Sequence, residues 1–382
     1  MRQNIRVGRL FGIDIGLHYS WFAVFALVTW SLGSVYFPTS YHSWSTVTVW
    51  FTAFVASVLF FGSVLGHELA HSIVAKWRNI EVESITLFIF GGQANITREA
   101  DRARDEFAIA IAGPLASLLF GLLAAAFWIV AERLQMGTAL QAPIAVAFWL
   151  AVINFLLAVF NLIPGFPMDG GRVLRSLVWG VTRNFWLATR VATGVGQVVA
   201  YAMIFGGLFV AISGSFFTAI WLIFVGWFLS TTAQASYRQA QMRENLRGVT
   251  VNQAMTRNYQ AVSPYATLRQ AFERYLRPNQ LAAVPVVADD SRILGLLTQA
   301  NVKQIPEDEW DYTRVNQVMT TLADAQTVTP QEEVTQVLTS LRGDDLGETP
   351  VVEDGQLVGL LTAEGITNLL RSRTQRRSDA SP

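Results

Sequence analysis

VTVWFTAFVASVLFFGSVLGHELAHSIVA, residues 47–75, decides the fold. A helix needs ~20 apolar residues to cross a hydrocarbon core of about 30 Å, and this stretch exceeds that. Its only charged side chain is Glu68, which stands between His67 and His71. An ionisable group inside a membrane span is costly and marks function. The stretch therefore reads as a membrane helix that carries chemistry.

Similar stretches lie on both sides. Leu17–Phe37 precedes it, and Phe107–Val130, Pro143–Ile163, Leu187–Ile212 and Phe216–Ala233 follow. Only Ser213, Gly214 and Ser215 join the last two, which makes a tight helical hairpin. The first run lacks a small-x-small cleavage site and reads as a retained span, not a signal peptide. The chain of 382 residues is 52% apolar and 15% charged, against about 25% charged in ordinary soluble domains. That balance excludes a disordered chain and argues against a soluble enzyme. Cysteine is absent, which removes disulfides, thiolate ligands and thiol nucleophiles. The expected fold is a polytopic α-helical membrane protein of six transmembrane helices over residues 1–235.

Basic residues orient it. Arg2, Arg6 and Arg9 precede the first span. Lys76, Arg78, Arg98, Arg102 and Arg104 follow the second, Arg172, Arg175, Arg183 and Arg190 the fourth, and Arg238, Arg243 and Arg247 the sixth. The other three loops hold only Arg133. The positive-inside rule puts the first set, and both termini, on the cytoplasmic side of a cell membrane. Ile80–Ile96, IEVESITLFIFGGQANI, lies on that side and reads as a β-hairpin turning at Gly91-Gly92. Exposed strand edges are poorly tolerated in lipid. The hairpin is either a cap over the helices or a receptive edge that pairs with an extended substrate. For the receptive edge, proline at Phe88 or Phe90 is expected to block capture without metal loss.

His67 and His71 are four residues apart, so a helix puts both imidazoles on one face. They can bind one zinc ion, with Glu68 beside them to take a proton from water. Zinc catalysis needs a third protein ligand. Asp169 supplies the best one, in NLIPGFPMDGGR at residues 161–172. The prolines and glycines there unwind the chain at the end of the fourth span. Depth agrees, because Glu68 lies eight residues before Lys76, roughly 12 Å of helix. Asn161 either donates to a scissile carbonyl or developing oxyanion or bonds to its own helix backbone. Gly113-Pro114 reads as a kink or a point of close packing.

These residues resemble the site-2 proteases, zinc metalloproteases that cut within or near the membrane. The similarity runs over roughly residues 10–235. It includes GHELAH at 66–71, FGG at 90–92, AGPLAS at 112–117 and NLIPGFPMDGGR at 161–172. The resemblance implies zinc held by His67, His71 and Asp169, with Glu68 as base. It implies that Asn161 positions the substrate or the oxyanion. It implies a transmembrane or membrane-associated protein as substrate, cut in regulated intramembrane proteolysis, with the lipid bilayer as surroundings.

Residues 250–370 contain a repeat after a linker at 236–249. Met255-Thr256 returns as Met319-Thr320, Pro285-Val286-Val287 as Pro350-Val351-Val352, and Gly295-Leu296-Leu297-Thr298 as Gly359-Leu360-Leu361-Thr362. Each unit, 250–310 and 311–370, reads as a small α/β fold that packs on the other. The pair resembles CBS domains, which implies an adenine nucleotide held by a threonine and an aspartate three residues on. Here those positions are Thr298 with Asn301, and Thr362 with Gly365. The departures from aspartate leave two readings open: nucleotide regulation, or homodimerisation or substrate docking alone. Residues 371–382 read as a disordered basic tail. No nucleic-acid partner is expected. The alternative reading is a CBS-regulated membrane transporter or channel, which gives no reason for a glutamate between two metal-spaced histidines.

Overall fold

The computed structural model describes residues 5–89, 91–96, 98–136, 140–246, 248–279, 281–288, 292–340 and 348–379. Of residues 239, 243, 279, 339, 340 and 372–379 it describes the backbone alone. Phe90 and residues 380–382 lie outside the described residues. The chain forms two compact units, 1–240 and 241–382.

Among the described residues the first unit is built on α1 Tyr19–Ser40, α2 Thr46–Trp77, α3 Ala103–Arg133, α4 Gln141–Asn161, α5 Asp169–Thr182, α6 Phe185–Ile212 and most of α7 Phe216–Leu246, whose last residues belong to the second unit. All but α5 are long and apolar enough to span a membrane. The shortest, α4, has 21 residues, about 31 Å at 1.5 Å per residue. Helices suit this environment because every backbone group is paired within the segment. Side chains cap the starts of α1 and α2, where the backbone would otherwise be bare: Thr48 N donates to Ser45 Oγ at 3.2 Å, and Ser20 N to His18 Nδ1 at 3.2 Å. Large apolar side chains such as Leu122, Phe209 and Phe217 point outward, while Ala53, Ala56, Ala188 and Ala192 are fully enclosed. That is the reverse of a soluble bundle and fits lipid as solvent. The chain is a multi-pass membrane protein.

The expected hairpin is present as β3 Val82–Phe88 and β4 Gly91–Ile96, but it is half of a larger sheet. β1 Ile5–Leu10 and β2 Ile13–Leu17 form a second hairpin, and the order is β1-β2-β3-β4 with β2 parallel to β3. The alternation of Ile13, Ile15 and Leu17 with Asp14 and Gly16 is a strand pattern. It runs into the apolar stretch of α1, which hides it in the sequence. Ile13 and Ile85 share one apolar core with Ala75 of α2 and Ile109 of α3, so the sheet rests on those two helices. Phe88 therefore sits on an interior strand, and the edge beside the helices is β4.

In the second unit β5 Ala283–Val287 and β6 Ile293–Thr298 pair antiparallel, as do β8 Glu348–Glu353 and β9 Gln356–Thr362. The repeats exchange their leading segments. β7 Thr320–Thr321, from the second repeat, pairs with β6, while Thr256, from the first, bridges Leu360. Cores follow suit: Val315 packs with Val262, Leu268 and Val286, and Val251 and Ala254 pack with Val334, Val351 and Ile366. Leu246 and Val249, within the stretch read as linker, belong to that second core. The last helix, Ala363–Asp379, runs into the stretch read as a disordered tail. Its arginines are good helix formers.

Candidate metal centre

α2 carries His67, Glu68 and His71, with the two imidazole centroids 4.8 Å apart. Each ring is oriented by α3. His71 Nδ1 donates to the carbonyl of Ile109 at 2.6 Å, and His67 Nδ1 meets Ser117 Oγ at 2.8 Å. A carbonyl can only accept, so neutral His71 carries its proton on Nδ1 and leaves Nε2 bare. The same tautomer of His67 follows if Ser117 accepts. Ile109, Gly113 and Ser117 are spaced by four and share one face of α3. Gly113 stands between the two ring partners, and a Cβ there would collide with Nε2 of both histidines.

Asp169 is the first residue of α5. The unwound stretch before it is tied down by Phe166 N donating to Ala192 O at 3.2 Å and Met168 N to Gly165 O at 3.1 Å. Asp169 Oδ2 lies 3.1 Å from Nε2 of His67 and 3.1 Å from Nε2 of His71, and the two Nε2 atoms are 3.2 Å apart. Three lone-pair atoms at this spacing need positive charge among them. A zinc ion with ligand bonds of about 2.0–2.1 Å in a tetrahedron sets its ligands ~3.3 Å apart, so the residues fit that ion. They form a metal-capable cluster of two buried histidines and a half-buried aspartate.

Glu68 faces the sheet. A Cβ at Gly92 of β4 would collide with its side chain, so the hairpin lies directly on the glutamate. The structure thus brings together His67, Glu68, His71 and Asp169. Asn161 Nδ2 donates to Leu157 O at 3.0 Å, within its own helix. Sequence reading missed Ser117 and the Ile109 carbonyl, and gave Gly113 packing without chemistry. AGPLAS at 112–117 was the available signal.

In the second unit Thr298 caps the helix Gln299–Lys303. Asn301 Oδ1 accepts from Thr298 N at 2.9 Å, Thr298 Oγ1 at 2.7 Å and Thr320 Oγ1 at 3.3 Å. Thr362 Oγ1 accepts from Gly365 N at 3.0 Å, and a Cβ at Gly365 would approach the Ala254 carbonyl to 2.5 Å. Between the repeats, Glu348 Oε2 accepts from Ala283 N at 2.6 Å. Burial raises the Glu348 carboxyl above its ordinary range, against the backbone N–H groups of Ala283 and Ala282, which lower it.

The profile of Peptidase family M50 matches residues 55–142 and 130–206, and that of the CBS domain matches 251–306 and 315–372. The chain is 36% identical over 384 residues to sll0528 of Synechocystis sp., a candidate zinc metalloprotease, covering 97% of each. It is 32% identical over 371 residues to Rip3 of Mycobacterium tuberculosis, another candidate zinc metalloprotease, covering 97% of this chain and 93% of that one. Among solved structures it is similar to a site-2 protease from Methanocaldococcus jannaschii. The identity is 28%, the cover 61% of this chain and 94% of that one, and the TM-score 0.41.

Proposed function

Because this chain belongs to peptidase family M50, the site-2 proteases, joined to a CBS pair, we propose that His67, His71 and Asp169 hold one zinc ion and that Glu68 is the catalytic base. The protein is an intramembrane zinc metalloprotease, and its substrates are membrane proteins cut in or near their spans. The convergence of three acceptor atoms at 3.1–3.2 Å carries the assignment of the ligands.

Bound there, zinc supplies a Lewis acid that acidifies water and polarises a carbonyl. The chain's own residues do the rest. Glu68 takes the proton from the attacking water and returns it to the leaving nitrogen. Ile109 and Ser117 keep both Nε2 atoms aimed at one point. Asn161 reaches a substrate carbonyl only by releasing Leu157 O, and its role is to donate there. β4 covers Glu68 and has an outer edge unpaired among the described residues, so an extended substrate segment adding to it would lie beside the base. A helical substrate must first unwind, since its carbonyls are otherwise bonded within the helix.

The loop arginines support a cell-membrane topology with both termini and the CBS pair cytoplasmic. Thr298, Asn301 and Thr362 would contact an adenine nucleotide, with Asn301 offering its Nδ2 because its Oδ1 is engaged. The pair would also serve as a homodimer contact. Calorimetric titration with ATP, AMP and adenosine tests the first role, and absence of heat with all three leaves dimerisation or docking.

Metal analysis of the purified protein tests the site itself. One zinc per chain is expected, lost in His67→Ala and in Asp169→Ala, with cleavage abolished by chelation and restored by zinc. Full zinc content in both variants would refute the ligand assignment.

A further inference from the structure

Glu106 of α3 and Arg175 of α5 form an ion pair buried between helices, with side chains 2% and 8% exposed. Among the described residues it is the one carboxylate–arginine pair with both members enclosed this far. Arg175 Nε donates to Glu106 Oε1 at 2.6 Å, Nη2 converges on the same oxygen, and Oε2 has no hydrogen-bond partner. The guanidinium also lies between two rings, 5.1 Å from the centroid of Phe166 and 4.7 Å from that of Phe185. Phe166 belongs to the stretch that leads into Asp169, and Phe185 begins α6.

The place of Glu106 on α3 gives the pair its meaning. Glu106, Ile109, Gly113 and Ser117 are spaced by three, four and four, which puts them on one helical face. The last three orient or make room for the histidines. Arg175 sits on the same short helix as Asp169. One rigid element thus sets both imidazoles, another sets the carboxylate, and the ion pair is the charged link between the two. Stability does not explain it. Buried pairs often leave the fold as stable, or more so, when both members are replaced by apolar residues of similar size. What such a pair adds is a defined register between its elements, and the guanidinium fork is directional where an apolar contact is not.

We propose that Glu106 and Arg175 are positioning residues for the metal centre, holding α5 in the register on α3 that brings Asp169 Oδ2 to the two Nε2 atoms. The proposal rests on the metal reading above. A slip of α5 along α3 would carry Asp169 Oδ2 off the two Nε2 atoms, while the histidines and their partners stayed in place.

The test is zinc affinity of the full-length purified protein, by competition with a chromophoric chelator, alongside the thermal midpoint of the metal-free form. The double variant Glu106→Leu with Arg175→Met keeps the volume and removes both charges. It is expected to match or exceed the wild-type midpoint and to bind zinc at least about tenfold more weakly, the range seen when groups that orient ligands are lost. Arg175→Lys keeps the charge without the fork. It is expected to weaken zinc by several-fold at an unchanged midpoint, and to lower kcat for substrate cleavage with KM unchanged. Wild-type zinc affinity in the double variant overturns the proposal. If that variant does not fold, wild-type affinity and kcat in Arg175→Lys overturn it. Wild-type protein that binds no zinc is a separate result, and it overturns the metal reading with the inference that rests on it.

Discussion

A side chain at Gly113 would enter the space that the Nε2 atoms of His67 and His71 share. Alanine is the better helix former there by about 0.8–1 kcal/mol, so Gly113→Ala should fold. It should also lose zinc, and metal analysis of the folded variant checks this. Ser117→Ala removes only the partner of His67 Nδ1 and should weaken zinc about tenfold, a smaller loss than Gly113→Ala. Both positions show what was legible at this scale. His67, Glu68 and His71 were readable because the chemistry requires those residue types at that spacing. Asp169 was readable from its motif. Ser117 was hidden because a serine in an apolar helix usually bonds to its own backbone, and Ile109 because it acts through a carbonyl that every residue has. Glu348 gives a pH test in the second unit. Burial raises its folded value, so its ionisation costs the folded state. The associated stability is full below the ordinary carboxylate value and falls as pH rises through the raised one. Glu348→Gln keeps an acceptor for Ala283 N and should raise the thermal midpoint at pH 7 but not near pH 4. A midpoint unchanged at both values would contradict it.

Among the elements, the sheet was half legible. Gly91-Gly92 and the branched residues before it marked β3 and β4, while β1 and β2 were hidden in a short, arginine-bearing start that merges with α1. The missing strands change the function argument. With β2 on one side of β3, the edge nearest Glu68 is β4. Proline at Phe88, on the interior strand, would break the sheet, so it does not isolate capture. A photo-crosslinking side chain at Gln93 of β4 should capture substrate, whereas one at Val7 of β1 should not. Equal capture at both would contradict edge pairing at β4. The helix α5 was also unforeseen. Its residues read as an unwound loop because GFPMDGG breaks the pattern just before Arg172. The helix resumes at Asp169, and this is what gives the aspartate a rigid support.

The whole molecule joins a membrane metalloprotease to a CBS pair. Its outward apolar side chains and buried small ones made six spans legible from hydropathy alone. The exchange of leading segments between the CBS repeats was not, because a repeat shows what is alike and not what packs on what. At this scale the substrate must also change shape. Alanine in place of glycine, proline, serine or asparagine near the cut should slow cleavage, because the helix then resists opening. Equal rates would show that unwinding is not limiting. The most direct test of the central claim is cleavage of single-span substrates in liposomes by wild type and by Glu68→Gln, with zinc measured in both. The account predicts product from wild type alone and equal zinc in the two proteins. Product from zinc-loaded Glu68→Gln at the wild-type rate would contradict it.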